Sequence, residues 1–435
     1  PSIGIQIPSL LIPNSSIDFS KWAVIACDQF TSQPDYWSKV NEIVGQSPST
    51  LHLILPEVYL GGLEEDVIIS KIYENMRNYI RDKVLVPLEG MILVERTTHT
   101  GLRRGLILAL DLEKYNYRRG SSSLIRATEE TILERLPPRV QIRENALLEL
   151  PHILVLIDDP ERKVIEPLWE GRRQFPCIYD FDLMLSSGHL KGYQINDITI
   201  ETALVGKLEE LTDPAHFKNK YQLTKDYPPL LFAVGDGNHS LAAAKAVWEK
   251  KKAHLPCDHP LRYALVEIEN IHDPGLIFEP IHRVLFGVKK EIQDSLISFF
   301  PEMDITPCSS FDEMKMMVNT SSSQNQIIGI VRNGFWESIN IKNPHNQLPA
   351  GSIQTFLDNF MAIKGADKID YIHGDDVMIS LCQEPCNIGF YLPAMKKGKL
   401  FKTIILEGAL PRKTFSMGEA SDKRFYFECR QIQYI

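Results

Sequence analysis

Between Leu230 and Lys250 the chain reads LLFAVGDGNHSLAAAKAVWEK. An apolar run of strand length breaks at Gly235-Asp236-Gly237, and an Ala-rich helical pattern begins near Asn238. A strand that passes through glycines straight into a helix needs a sheet for the strand and a packing surface for the helix. Ala242, Ala243, Ala244 and Ala246 allow that helix to lie tightly against a sheet. Leu241, Ala244, Lys245 and Trp248 recur at helical spacing, and at least three of them are expected to form the packing face. The first N–H groups of such a helix lack partners and carry a partial positive charge. Gly235 and Gly237 can take positive φ and let a ligand approach the backbone, and phosphate is the commonest guest at such an end. The plainer alternative is that Asp and Asn only cap the helix and that His239 is an ordinary surface residue.

The strand-like RYALVEIEN follows the helix, so strand, helix and strand read as a βαβ unit with parallel pairing. Upstream, apolar residues at 68, 72, 76, 79 and 80 predict an amphipathic helix. MILVERT and GLILALDL read as strands around the turn-like THTGLRR. A polar helix is expected over Leu124–Leu136, stopped by Pro137-Pro138. HILVLI reads as a strand, EPLWEGRR as a helix, and CIYDFDLMLSSGHLKGYQI as a hairpin with its tip at Ser186-Ser187-Gly188. Strands and helices mix again from about Lys289 onward. The expected fold class is mixed α/β (α+β), with several mixed sheets and flanking helices around the central strand–turn–helix. At 435 residues the chain exceeds one hydrophobic core. Three parts are expected: 1–215, a phosphate-binding core at 216–288, and 289–435.

Composition excludes some functions. A formal charge of −9 argues against a strongly basic nucleic-acid face, so a DNA-associated role is disfavoured. The longest apolar run, Ile153–Ile157, is too short to span a bilayer, and PSIGIQIPSLLIPNSS does not read as a signal peptide. Seven scattered Cys read as reduced thiols, which leads to the expectation of a cytoplasmic protein. The Cys382/Cys386 spacing alone is a weak zinc pattern. No phosphate-binding Gly-x-x-x-x-Gly-Lys-Ser/Thr string follows a strand. GDGNHS does match a defective dinucleotide fingerprint, with Glu267 or Glu269 as ribose acids, but Asp236 would then oppose the pyrophosphate.

GDGNHS followed by an Ala-rich helix resembles the Asp-Gly-His-His-Arg motif of the family DUF1015. LVEIENIHDPGLIFEPIHRVL resembles that family's Pro-x-His-Arg segment, here Pro280, His282 and Arg283. LIRATEET resembles its Ile-Arg-x-His-Glu-x-Thr segment, which places Arg126, Glu129 and Thr131. GALPRKTF resembles its Pro-x-Lys-Ser/Thr segment, which places Leu410, Pro411, Lys413 and Thr414. The segments keep their order over nearly the whole chain. Departures mark a divergent subgroup: Asn238 and Thr128 stand where the family has His, and Ser240 stands where it has Arg. More remotely, the Asp-Gly-x-His turn resembles that of the ParB–sulfiredoxin superfamily, which includes free-serine kinases. That resemblance implies a turn and helix start that hold nucleotide phosphates.

Phosphoryl transfer calls for positioning and charge neutralisation more than for covalent help. Asp236 can hold a divalent cation or accept a proton, and His239 can contact phosphate or shuttle a proton. These two are the candidate catalytic residues. Gly235, Gly237, Asn238 and Ser240 are expected to line the anion. Arg283 is the first choice for the missing cation, because a guanidinium grips phosphate in bidentate fashion. His282 alternates away from Arg283 on an extended segment. Arg126 and Glu129, spaced i, i+3 on the expected helix, would share a face. Lys413 precedes a Ser416-Met417-Gly418 turn able to cover a site, and Arg412 beside it reads as surface. Asp158-Asp159-Pro160 and HGDDV (373–377) read chiefly as helix starts, and within CDQF Asp28 is the residue that can belong to the site. The resulting expectation is a phosphate- or nucleotide-binding enzyme, a kinase or phosphatase for a small serine-like metabolite. ATP or ADP with Mg2+ is the expected cofactor, and a small phosphorylated metabolite or nucleotide the expected partner. A non-catalytic nucleotide or metabolite sensor is the alternative.

Overall fold

GLILALDL forms part of the Gly101–Asp111 strand, buried along most of its length at the middle of a ten-stranded sheet. The computed structural model describes residues 3–31, 33–60, 62, 65–131, 133, 136–411 and 413–434. Helices and several sheets give the mixed α/β architecture expected from the sequence. Two compact units result: residues 1–277 with 417–435, and Phe278–Ser416. The strand of the quoted segment pairs inside the large sheet of the first unit, and the C-terminal segment from Met417 returns to that unit.

In the first unit the sheet runs, edge to edge, through Cys177–Asp182, His189–Ile195, Met91–Thr98, Gly101–Asp111, Tyr263–Asn270, Leu154–Ile157, Phe232–Asp236, Ile125–Ala127 and Tyr115–Asn116. Ile5–Gln6 adds against Gly101–Asp111. The predicted hairpin is present, with Phe181 opposite Leu190. The amphipathic helix is Glu65–Arg81, which buries Ile69, Ile72 and Met76.

Two expectations are corrected. Phe232–Asp236 and Tyr263–Asn270 are not a parallel pair. Leu154–Ile157 lies between them, antiparallel to the first and parallel to the second. Every residue of that strand is buried, as a strand covered on both faces requires, and its unbroken apolar run gives it a central place. The connection at 252–262 turns the chain back before the next strand begins. The expected helix over Leu124–Leu136 is instead the strand Ile125–Ala127, parallel to Phe232–Asp236, with Arg126 opposite Ala233. The helix here is Leu136–Glu144, with Pro137-Pro138 in its first turn. Proline's missing N–H has no partner to lose at that position, so the pair opens a helix here and does not close one. Residues 132, 134 and 135 of that segment lie outside the described residues.

In the second unit six antiparallel strands run in the order Met303–Cys308, Phe335–Lys342, Asn325–Arg332, Ile388–Tyr391, His282–Phe286, Lys368–Ile372. Val284 and Leu285, Val331 and Ile330, and Tyr391 and Phe390 divide between two core clusters, as alternation along a strand demands. Helices Ile292–Phe299 and Pro349–Ala362 cover one face, and Phe311–Asn319 and Asp375–Leu381 cover the other. Among the described residues no helix is long and apolar enough to cross a membrane.

Candidate functional site

The quoted segment folds as read: strand Phe232–Asp236, a single left-handed residue at Gly237 (φ 82°), then helix Asn238–Lys251. Phe232, Ala233 and Val234 are buried, whereas Gly235, Asp236, Asn238, His239 and Ser240 are only half-buried. The helix buries Leu241, Ala242, Ala243, Ala244, Val247 and Trp248, so the small residues do permit close packing. Gly237 is demanded twice over. Its φ is one that side chains resist, and a Cβ there would lie 3.0 Å from Ile153 Cα. The 152–153 segment therefore sits directly on the turn. Glycine caps this helix without a side-chain acceptor, and the backbone N–H groups of Asn238 and Ser240 have no partner among the described residues. They stand at the positive end of the helix dipole, next to half-open surface.

The side chains around these groups come from distant parts of the chain. Asp236 accepts the Gly237 N–H through Oδ1 at 3.0 Å, and its Oδ2 lies 3.4 Å from Lys423 Nζ. His152 Nε2 and Ser240 Oγ are 2.6 Å apart. The Asp28 and Asp236 charges both act on that imidazole, and the Arg139 and Arg424 charges oppose them. Burial holds the His152 pKa below its ordinary value, outweighing the two carboxylates, so the ring is neutral at pH 7. Burial works against ionisation of Asp28 as well, but a hydrogen bond from Gln29 and the Arg139 charge hold its carboxyl below the usual range, and a proton gained by His152 strengthens that hold. The pair is thus an ionised carboxylate beside a neutral imidazole. The Cys27 thiol is pushed up to about 12 by burial and by Asp28, which leaves it an unreactive thiol. Thr128 donates to the Val234 carbonyl at 2.6 Å, and Asn238 Nδ2 reaches Thr128 Oγ1 at 3.5 Å. Met417 covers the strand end, since a Cβ on Gly235 would meet its sulfur at 2.5 Å.

The other expected site residues are placed as follows. Arg126 is buried and donates to the carbonyls of Ser123, Pro228 and Pro229, and burial lowers its pKa to about 10. Glu129 is half-buried just beyond the same strand, and the helical face it was to share with Arg126 does not form. His282, Arg283 and Lys413 belong to the second unit. Arg283 is fully buried, donating to Gln354 Oε1 at 3.2 Å and to the Ile281 carbonyl, with its guanidinium 5.0 Å from the Tyr371 ring centroid. His282 accepts the Leu392 N–H through Nδ1 at 3.1 Å, stacks on Tyr391, and sets Nε2 3.5 Å from Asp375. That contact absorbs the HGDDV segment, whose acids begin the Asp375–Leu381 helix. Lys413 is exposed at φ 59°. Arg412 lies outside the described residues.

Glu267 and Glu269 do not serve as ribose acids. Glu267 pairs with Arg424 at 2.7 Å and Glu269 with Arg103 at 3.0 Å, all four fully buried. Burial pushes Glu269 up to about 8 despite Arg103, helped by the charges of Glu267 and Asp273. No group of three or more His, Cys, Asp and Glu among the described residues is arranged to hold a metal. At the turn Asp236 is one carboxylate already facing Lys423, a donor set that fits Mg2+ poorly. The sequence reading missed His152 and Lys423. Neither carries a local pattern: one lies two residues before a buried strand, and the other lies near the C-terminus, so tertiary contact alone brings them to the turn.

The model of a family described as a protein of unknown function, DUF1015, matches residues 11–360. No curated protein matches. Among solved structures, a conserved hypothetical protein from Pyrococcus furiosus is 10% identical with a TM-score of 0.35, covering 74% of this chain and 90% of its own. A free serine kinase in complex with AMP is 10% identical with a TM-score of 0.37, covering 75% and 91%. SbnI with a C-terminal truncation, from Staphylococcus aureus, is 11% identical with a TM-score of 0.34, covering 71% and 81%. Likeness at this level establishes neither a shared fold nor a shared site.

Proposed function

The chain belongs to the DUF1015 family, and we propose that its turn at 235–240 seats a phosphoryl group of a nucleotide or small phosphorylated metabolite. One observation carries the reading. The helix that follows the turn starts on a glycine, without a side-chain cap, and presents at half-open surface the N–H groups of Asn238 and Ser240, which have no partner among the described residues. Backbone donors at the positive end of a helix dipole favour an anion with delocalised negative charge. Lys423 offsets the charge of Asp236, which would otherwise repel that anion, and the Ser240 hydroxyl adds a neutral donor. The wider resemblance of the turn to the ParB–sulfiredoxin group points to nucleotide phosphates at the same place. In an enzyme that transfers or hydrolyses phosphate, the Asp236 charge favours the imidazolium that forms when His152 takes the proton of an attacking hydroxyl.

Calorimetric titration with inorganic phosphate, ADP, ATP and phosphoserine tests the seat. Wild-type protein is expected to bind at least one of them. Ser240→Asp, which sets a carboxylate on the first helical turn, is expected to weaken binding about tenfold or more while the protein stays folded. Folded wild-type protein that binds none of the four overturns the reading. A non-catalytic sensor is the second reading, favoured by the ion pair that engages Asp236. Asp236→Asn separates the two, since a sensor keeps its affinity and an enzyme loses turnover.

A further inference from the structure

The Ser240–His152 contact has the form of an activated nucleophile. Ser240 stands on the first turn of a helix that follows a strand and a tight turn, an arrangement that exposes a hydroxyl beside backbone N–H groups. Its Oγ lies 2.6 Å from His152 Nε2, within proton-transfer reach, and both residues are half-buried. The imidazole is neutral and so able to take a proton, and the carboxylates of Asp28 and Asp236 act on it to favour the cation once it has done so. Nearby alternatives lack this combination. Thr128 Oγ1 is fully buried and donates to the Val234 carbonyl, and the Cys27 thiol is held protonated. A second imidazole–hydroxyl contact among the described residues, His52 with Tyr79 at 2.9 Å, involves a phenol whose pKa burial raises.

Resting on the anion seat proposed above, we infer that Ser240 is a covalent nucleophile that takes a phosphoryl group from a phosphoanhydride donor. A bond forms from Ser240 Oγ to phosphorus as the bond from phosphorus to the donor's bridging oxygen breaks. The Oγ proton passes to His152 Nε2 and from there to the departing oxygen. The N–H groups of Asn238 and Ser240 hold the peripheral phosphoryl oxygens throughout. An acceptor hydroxyl, or water, then attacks phosphorus, gives its proton to His152, and releases the serine, whose Oγ takes that proton back. The transfer changes no oxidation state, so no oxidant is needed.

A fluorophosphonate, which phosphonylates activated serines, reads this property without knowledge of the natural donor. Wild-type protein is expected to be labelled at Ser240, located by peptide mass spectrometry, and Ser240→Ala is expected to lose the label. His152→Gln is expected to slow labelling about a hundredfold, the scale of one lost general base. Incubation with ATP, followed by acid quench, is expected to add the mass of one phosphoryl group to the Ser240 peptide. Unlabelled Ser240 in wild-type protein that still binds a phosphate compound overturns the inference and leaves the anion seat standing. Labelled Ser240 in protein that binds no phosphate compound overturns the phosphoryl donor and the seat together, because the reactive hydroxyl then serves another class of electrophile.

Discussion

His152 in the first unit and His282 in the second are both imidazoles whose pKa burial holds low, yet their surroundings differ in kind. His282 has each ring atom engaged: Nδ1 with the Leu392 N–H, Nε2 towards Asp375, and the ring face on Tyr391. It is 1% exposed. His152 is half-buried and bonded to the hydroxyl of Ser240, a side chain on the half-open turn. A ligand can compete for a hydroxyl at a helix start, whereas it cannot reach the buried main-chain N–H of Leu392, just past the Ile388–Tyr391 strand. The difference teaches that depressed basicity alone does not identify a working histidine. The partner must be one that a substrate can approach.

The most disruptive way to challenge that contrast is to remove each ring. His282→Ala strips the Leu392 N–H of its acceptor and empties a stacked site, and it is expected to cost about 4 kcal/mol in denaturant unfolding. His152→Ala is expected to cost about 1 kcal/mol, since Ser240 can turn to water. Equal costs would erase the distinction. Acid offers a second test. The folded pKa of His282 lies at about 4, below an unfolded value near 6.5, so between those limits the unfolded chain binds the proton that the folded one does not. Stability of the second unit therefore rises with pH across this window and is lost as pH falls from about 6.5 to about 4, by about 3 kcal/mol at 1.4 kcal/mol per pH unit. His282→Gln, which keeps an acceptor for Leu392 and cannot titrate, is expected to flatten that limb of the stability–pH curve. A limb unchanged in the variant would assign the effect to other groups.

Backbone geometry gives a third, smaller effect. Gly237→Ala must accept φ 82° and a Cβ 3.0 Å from Ile153 Cα, so a loss of about 2 kcal/mol is expected. Because the strain falls on the segment that carries His152, anion affinity is expected to fall with it. A variant that is destabilised but binds normally would show that His152 is not held by that contact.

How much of this was legible in the sequence follows from how local each cause is. The strand, turn and helix at 232–251 were readable because glycine, alanine and apolar spacing act over a few neighbouring residues. Pro137-Pro138 misled because proline both stops and starts helices, and the deciding fact was pairing of Ile125–Ala127 with a strand a hundred residues away. Leu154–Ile157 broke the expected βαβ pairing for the same reason: sheet order is a long-range property. Motif residues Arg126 and Arg283 looked like free cations in a string of letters, yet both are buried donors to carbonyl groups within their own units. His152 and Lys423 carried no pattern at all. Their role exists only once Ile153 lies on Gly237 and the C-terminal segment has returned.

Lys423 supplies the finest division of the comparison: each carboxylate has its own cation, Lys315 at 2.6 Å from Asp375 Oδ2 beside His282, and Lys423 at 3.4 Å from Asp236 Oδ2 at the half-open turn. If Lys423 acts on the anion through Asp236, its removal exposes a carboxylate to the incoming phosphate, and Lys423→Met is expected to weaken phosphate binding about tenfold, or 1.4 kcal/mol. The same substitution in an Asp236→Asn background removes no counter-charge, so there the loss is expected to shrink to about twofold. Titration of the four proteins at one fixed ionic strength gives the coupling directly, since added salt screens the exposed part of the interaction. Losses that add without coupling would mean that Lys423 contacts the anion itself and that Asp236 is left to other work at the turn.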